Sequence, residues 1–295
     1  MEIIIAISVI AICVLLIFAF DCRLKDVYYS VQTQKNIGSS PKIRIVLISD
    51  LHSRYHGIYN TKSHGKNQEK LIDRIQRCNP DIVVIAGDLF DDHARIDGAV
   101  AFLKGIQNTK IPTFYAPGNH EYRSKRFDSM MNTVEKHGVT ILEDKYCTVS
   151  TDSIHMRIAG AADTIKTKYH DPSYSQTAST EAAFSSLDDD IYNLLILHRP
   201  RSIALYKKYP FDLAVSGHLH GGQLRVPFVL NGLFTPSEGF FPKYAGGAYK
   251  HGSMTHIVGR GVSVNPPFVP RVFNRTELVV IDIGKEEEHY ENCLI

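Results

Sequence analysis

The chain has 295 residues, 44% hydrophobic and 22% charged, enough for one large α/β domain or two small ones. A formal net charge of +2 lacks the basic footprint of a nucleic-acid-binding domain, so no nucleic-acid partner is expected. Five widely spaced cysteines without a CxxC pair suggest neither a disulfide framework nor a thiolate zinc site, whereas 14 histidines, several in short motifs, point to imidazole chemistry.

Ile3 to Phe20 carries no charge and no strongly polar group apart from Ser8 and Cys13, a length at the threshold for crossing a bilayer. No basic residue precedes the run and no small-x-small site precedes Asp21, so an uncleaved single-pass anchor over residues 1–20 is expected rather than a cleaved signal or a buried helix. Arg23 and Lys25 follow it, offset by Asp21 and Asp26. The positive-inside rule discounts the acids and leans towards a cytoplasmic catalytic domain in the cell membrane. Residues 21–41 are polar, end in Gly38-Ser39-Ser40-Pro41, and read as a linker or an irregular lead-in strand.

The folded domain is expected over 42–283. Its first strand, from Lys42, becomes an apolar run that ends at Asp50-Leu51-His52. A helical stripe of Leu71, Ile72, Ile75 and Cys78 follows and Pro80 closes it. Ile82-Val83-Val84-Ile85-Ala86 is a run without interruption, the mark of a strand buried on both faces, and it stops at Gly87-Asp88. This strand–helix–strand unit puts both acids at one sheet edge, where open α/β sheets bind ligands. A helix over Ile96 to Ile106 and a strand over Thr113 to Ala116 lead into Gly118-Asn119-His120-Glu121. A third helix carries Phe127, Met130, Met131 and Val134 and ends near Gly138. Strands recur at Met156 to Ala159 and Asn193 to Leu197, the latter ending at His198. Between them lies a polar loop with one short helix. Leu213-Ala214-Val215 runs into Gly217-His218-Leu219-His220. Short strands at Leu224 to Val226, Thr255 to Val258 and Leu278 to Ile283 suit an antiparallel or mixed sheet, and 284–295 is a polar tail.

Each of five apolar strands thus delivers an acid, an amide or an imidazole. Carboxylate, amide and imidazole donors without a thiolate suit two divalent cations, Mn²⁺ foremost, with Fe, Zn²⁺ or Co²⁺ as alternatives. A single histidine after a strand is more often a hydrogen-bonded structural residue than a ligand, but here each member of the set predicts the others. The five blocks, Asp50-Leu51-His52, Gly87-Asp88, Gly118-Asn119-His120-Glu121, His198 and Gly217-His218-Leu219-His220, together resemble the signature of the calcineurin-like metallophosphoesterases. Gly221-Gly222-Gln223, Gly259-Arg260-Gly261 and the N-terminal anchor resemble the membrane-associated YkuE-like branch, which includes enzymes similar to UDP-2,3-diacylglucosamine pyrophosphatase.

The resemblance implies an α/β four-layer fold, a central β-sandwich of mixed sheets flanked by helices. It implies Asp50, His52 and His220 on one metal, Asn119, His198 and His218 on the other, and Asp88 bridging them. His120 would stand outside the metal shell, near the phosphoryl oxygens, stabilising charge or protonating the leaving group, with Glu121 orienting it. Two cations that lower the pKa of a shared water would make this a phosphohydrolase of phosphoester or pyrophosphate bonds. The partners implied are a phosphorylated small molecule or a lipid-linked substrate such as UDP-diacylglucosamine. A general phosphodiesterase or nucleotide phosphatase and a non-catalytic binding module are the alternatives; oligomeric state is not encoded.

Asp91 and Asp92 read as helix-capping or solvated. Arg199, Arg225 and Arg260 read as solvated or salt-bridged rather than as phosphate ligands. Phe228, Val229, Leu230, Leu233, Phe234, Phe240 and Phe241 could line a lipid-facing groove, but are read as core for the late sheet.

Overall fold

A computed structural model describes residues 1–54, 64–264 and 269–284. The tail from residue 285 onward and the side chains of His56, His64 and His289 lie outside the described residues. Helix α1 (Glu2–Ala19) stands almost wholly exposed, only Ala19 being buried. It is long and apolar enough to cross a membrane.

The first sheet comprises β1 (Lys25–Gln32), β2 (Lys42–Ile48), β3 (Ile82–Ala86), β4 (Thr113–Ala116), β5 (Thr140–Ile141) and β14 (Glu277–Gly284). Their spatial order is β1-β14-β2-β3-β4-β5. The second comprises β6 (Lys145–Ser150), β7 (His155–Gly160), β8 (Tyr192–Ile196), β9 (Leu213–Ser216), β12 (Gly247–His251) and β13 (Met254–Val258), in the order β12-β13-β9-β8-β7-β6. A separate hairpin joins β10 (Phe234–Thr235) to β11 (Gly239–Phe240). Strands β2, β3, β4 and β5 are mutually parallel, as are β7, β8, β9 and β13. Antiparallel pairing enters through β14 with β2, β6 with β7 and β12 with β13.

The unbroken apolar runs have a direct cause. Alternate residues of one strand face different cores. Ile43, Ile45, Leu47, Ile82 and Val84 pack between the sheets against Ile158, Leu194, Ile196 and Val215. Val46, Ile48, Val83 and Ile85 face outward under α2 (His64–Arg77), α3 (Asp97–Thr109) and α5 (Phe127–Lys136), meeting Leu71, Phe102 and Met130. On the far side α7 (Gln176–Phe184) and α8 (Ile203–Tyr206) seat Phe184, Ile203 and Tyr206 on Leu195 and Ala214. The layers run helix, sheet, sheet, helix, the expected four. Two further one-turn helices, α4 (Asn119–Arg123) and α6 (Lys166–Tyr169), lie in the loops.

Of the two readings of 21–41 the lead-in strand holds, for residues 25–32 form a regular strand that pairs in parallel with β14 over eight residues and makes the edge of the first sheet. Two other expectations need correction. Leu224 to Val226 is not a strand. Leu224 makes a single bridge to Val272, and Pro227 ends any ladder beyond Val226. Most of the late apolar residues do not pack as core: Phe228, Val229, Phe234, Phe240 and Phe241 are exposed.

Candidate metal centre

The loops after five strand ends meet in one place. Asp50 and His52 leave β2, Asp88 leaves β3, Asn119 and His120 open α4 after β4, His198 follows β8, and His218 and His220 follow β9. The close approach is sterically set. A Cβ on Gly118 would collide with Asp88 Oδ1, and a Cβ on Gly217 would collide with the Asp50 carboxylate. Only hydrogen fits at either position.

Asp88 Oδ2 is the point of convergence. It lies 3.2 Å from His198 Nε2, 3.8 Å from His52 Nε2 and 3.9 Å from His120 Nε2. Its other oxygen, Oδ1, accepts the His120 backbone N–H at 2.9 Å. A single oxygen of Asp88, and not its two oxygens separately, therefore faces both halves of the site. On one side stand Asp50, His52 and His220, with His52 Nε2 3.2 Å from His220 Nε2 and His220 Nε2 3.6 Å from Asp50 Oδ1. On the other stand Asp88, His198 and His218, with His218 Nδ1 3.1 Å from His198 Nε2. Asn119 Oδ1 is buried without a hydrogen-bond partner.

These donors fit a pair of cations. His198 Nδ1 donates to the Ala86 carbonyl at 2.8 Å, which leaves Nε2 to turn inward. Burial pushes the His52 imidazole down to about 3 and those of His218 and His220 well below their usual range, so all three stay neutral and keep a lone pair. Burial pushes the Asp50 carboxyl up to about 6. Burial also opposes charge on His198, but Asp88 and then Asp50 outweigh it and hold that imidazole up at about 10. A lone proton there supplies positive charge that a cation would supply better.

Five of these residues carry backbone strain. Asp50, His52, Asp88, His218 and His220 all have left-handed φ, between 47° and 75°. The conformation is costly for residues with a Cβ and clusters at functional sites. It turns each side chain off its strand's edge and into the shared space.

Two neighbouring acids play parts that differ from expectation. Asp91 does cap a turn, accepting the N–H groups of His93 and Ala94. Asp92 does not. Its Oδ1 lies 2.9 Å from His120 Nδ1, and its Oδ2 3.1 Å from Arg123 Nε. Asp92, not Glu121, orients His120. Glu121 is fully buried and accepts the backbone N–H groups of Asp88, Phe90 and Gly118 at 3.1, 2.8 and 2.8 Å. Burial, then the Asp88 charge, push its carboxyl up to about 7. Glu121→Ala would leave three buried donors unpaired, at about 1–3 kcal/mol each. Its melting temperature is expected to fall by about 10 °C in a thermal unfolding scan. An unchanged melting temperature would show that the cradle does not hold the loop.

Arginines form the outer wall. Arg199 Nε donates to Asp163 at 2.8 Å, while Nη1 lies 3.0 Å from His218 Nε2. Arg271, fully buried, donates from Nη2 to the Ser263 carbonyl and stands 3.1 Å from His220 Nδ1. Arg260 pairs with Glu277 at 2.7 Å, the salt-bridged role expected of it. Arg271 carries no sequence signal, because 51 residues separate it from the imidazole it reaches.

A family model described as calcineurin-like phosphoesterase matches residues 43–222. The uncharacterized metallophosphoesterase YkuE of Bacillus subtilis is 31% identical over 228 residues, covering 75% of this chain and 72% of that protein. A zebrafish protein, named a transmembrane protein with metallophosphoesterase domain, is 25% identical over 254 residues, covering 82% of this chain and 56% of that one. The solved structure of TT1561 of Thermus thermophilus shares the fold, with TM-score 0.51 and 13% identity over 75% of this chain and 90% of that chain. The chain spans between 41% and 72% of the length of these and other curated relatives. By the family model and by its likeness to YkuE, the chain belongs to the calcineurin-like phosphoesterase family.

Proposed function

We propose that this protein is a membrane-anchored, dinuclear metal-dependent phosphohydrolase. The observation that carries the reading is the pair of buried donor sets sharing Asp88 Oδ2. Asp50, His52 and His220 would hold one divalent cation and Asn119, His198 and His218 the other, with Asp88 serving both. Bound there, a pair of divalent cations would neutralise phosphoryl charge and activate water for attack near neutral pH. The chain supplies the rest. His120 presents Nε2 to the pocket while Asp92 accepts its Nδ1–H, which fixes the tautomer and aims the outer nitrogen. A proton on Nε2 then serves the leaving oxygen as the phosphorus–oxygen bond breaks. The buried walls keep bulk water from screening these charges.

Helix α1 tethers this chemistry to a bilayer, with the catalytic domain on the cytoplasmic face. The exposed apolar length of α1 supports the tether, and the zebrafish relative's name agrees with it. A substrate resident in the membrane, a lipid-linked phosphodiester or pyrophosphate such as a nucleotide-linked diacylglucosamine, gives the anchor a purpose. Metal removal tests the core of this reading. The full-length protein, assayed on bis-p-nitrophenyl phosphate with Mn²⁺, is expected to lose turnover to background after chelation and dialysis. Turnover should return on adding Mn²⁺, and elemental analysis should give two metal ions per chain. Full turnover by protein stripped of metal would refute it.

A further inference from the structure

Two loop tips on one side of the domain expose large apolar side chains. In the first, Val226 and Leu230 bridge across a tight turn that leaves Phe228 97% and Val229 82% exposed. In the second, the β10–β11 hairpin sets Phe234 against Phe240 at a tilt, with ring centroids 5.1 Å apart, and Phe241 follows at 6.2 Å from Phe240. Phe240 and Phe241 are 68% and 64% exposed. The two tips are stitched together, since Leu233 donates to the Leu224 carbonyl and Phe241 to the Leu233 carbonyl. Phe228 and Phe241 also have left-handed φ, 65° and 57°. A bulky residue held in that conformation with its ring in water is doubly unfavourable in an aqueous setting.

The place of this patch in the fold says what covers it. Arg225 and Val272 exchange backbone contact, the Arg225 N–H donating to the Val272 carbonyl and the Val272 N–H to the Gln223 carbonyl. The next residue, Phe273, donates its N–H to the carbonyl of Ala19, the last residue of α1, at 2.6 Å. The Cys22 thiol touches the Arg271 carbonyl in the same segment. Residues 271–273 thus clamp the end of α1 on one side and the root of the aromatic loops on the other. Asn274 continues the connection by donating to the His220 carbonyl at the metal centre.

We infer that the loops around Phe228 and Phe240 dip into the lipid surface beside the exit of α1, a second membrane contact that sets the tilt of the domain. The inference rests on the anchored reading of α1 and adds to it a fixed orientation: the rim of the metal centre is held against the headgroups. The occupant is a bilayer surface, with the aromatic rings seated about 5–10 Å into the boundary between headgroups and acyl chains.

The sequence contains no tryptophan, which makes the test direct. Full-length Phe228→Trp is reconstituted into phosphatidylcholine–phosphatidylglycerol vesicles, and Tyr146→Trp serves as the reference. Tyr146 lies on β6, at the opposite edge of the second sheet from β12. Both variants should float with the vesicles. The Phe228→Trp emission should be blue-shifted and quenched by lipids brominated at shallow acyl positions, and shielded from aqueous iodide; the Tyr146→Trp emission should show the reverse. Flotation with a water-exposed, iodide-quenched Phe228→Trp signal would overturn the docking and leave the anchor standing. Shielding from iodide without bromolipid quenching would mean a protein contact, such as a second copy, and would also overturn it. Failure of both variants to float would remove the anchor and the docking together.

Discussion

Asp88→Asn should abolish turnover on any phosphoester, by at least roughly 10³-fold, well beyond the 10–100-fold typical of an outer-shell change at a metal site. One oxygen of Asp88 faces His198, His52 and His120, while the other is committed to the His120 backbone N–H. An asparagine has one acceptor and one donor. If its oxygen keeps the backbone bond, its NH₂ points where a cation belongs. If it flips, the NH₂ meets the His120 N–H and the loop opens. Either way the site loses the negative charge that would hold two cations together. Elemental analysis of the variant should show fewer than two metals per chain. Near-native turnover with full metal content would mean that Asp88 does not join the two sites.

His120→Ala should act differently. It removes no ligand in the proposed assignment, so metal content should stay at the parent level while the rate constant falls about 10²–10⁴-fold. The size should depend on the leaving group. A nitrophenolate departs without help, whereas an alkoxide needs a proton. The loss should therefore be larger for an alkyl diester than for the p-nitrophenyl substrate, and Asp92→Asn should show the same pattern at smaller amplitude. Equal losses on both substrates would assign His120 to charge stabilisation alone. Loss of metal would place it inside the shell.

The parts of the fold legible in the sequence are those buried on both faces. β3 could be read because Ile82, Val84 and Ala86 face one core and Val83 and Ile85 the other, so no polar residue interrupts it. The edges hid themselves. β1 and β6 alternate polar and partly buried residues, Lys25 to Gln32 and Lys145 to Ser150, in a pattern that exposed loops also show. The candidate ligands were legible because strand ends deliver them in short blocks. Their supports were not. Asp92 sits beside Asp91, which does cap a turn, and nothing local reveals that one of two adjacent acids reaches an imidazole 28 residues away. Glu121 next to His120 suggests orientation of its neighbour, yet helix geometry sends it backwards onto the amides of the preceding loops. The left-handed backbone at Asp50, His52, Asp88, His218 and His220 was not legible, because Asp and His only lean towards a conformation that glycine adopts freely.

The strand that leads into the domain bears on how the protein finds its substrate. Only Phe20 to Leu24 separates α1 from β1, and five residues span at most about 17 Å when fully extended. Under the anchored reading, the catalytic domain has no slack leash on which to sample the cytosol. Its encounters reduce to lateral diffusion in the plane of the bilayer, where a target carried by lipid is concentrated and a freely dissolved one gains nothing. Any force on the anchor would load the eight paired residues of β1 and β14 lengthwise and together, so the domain should move with its helix as one body.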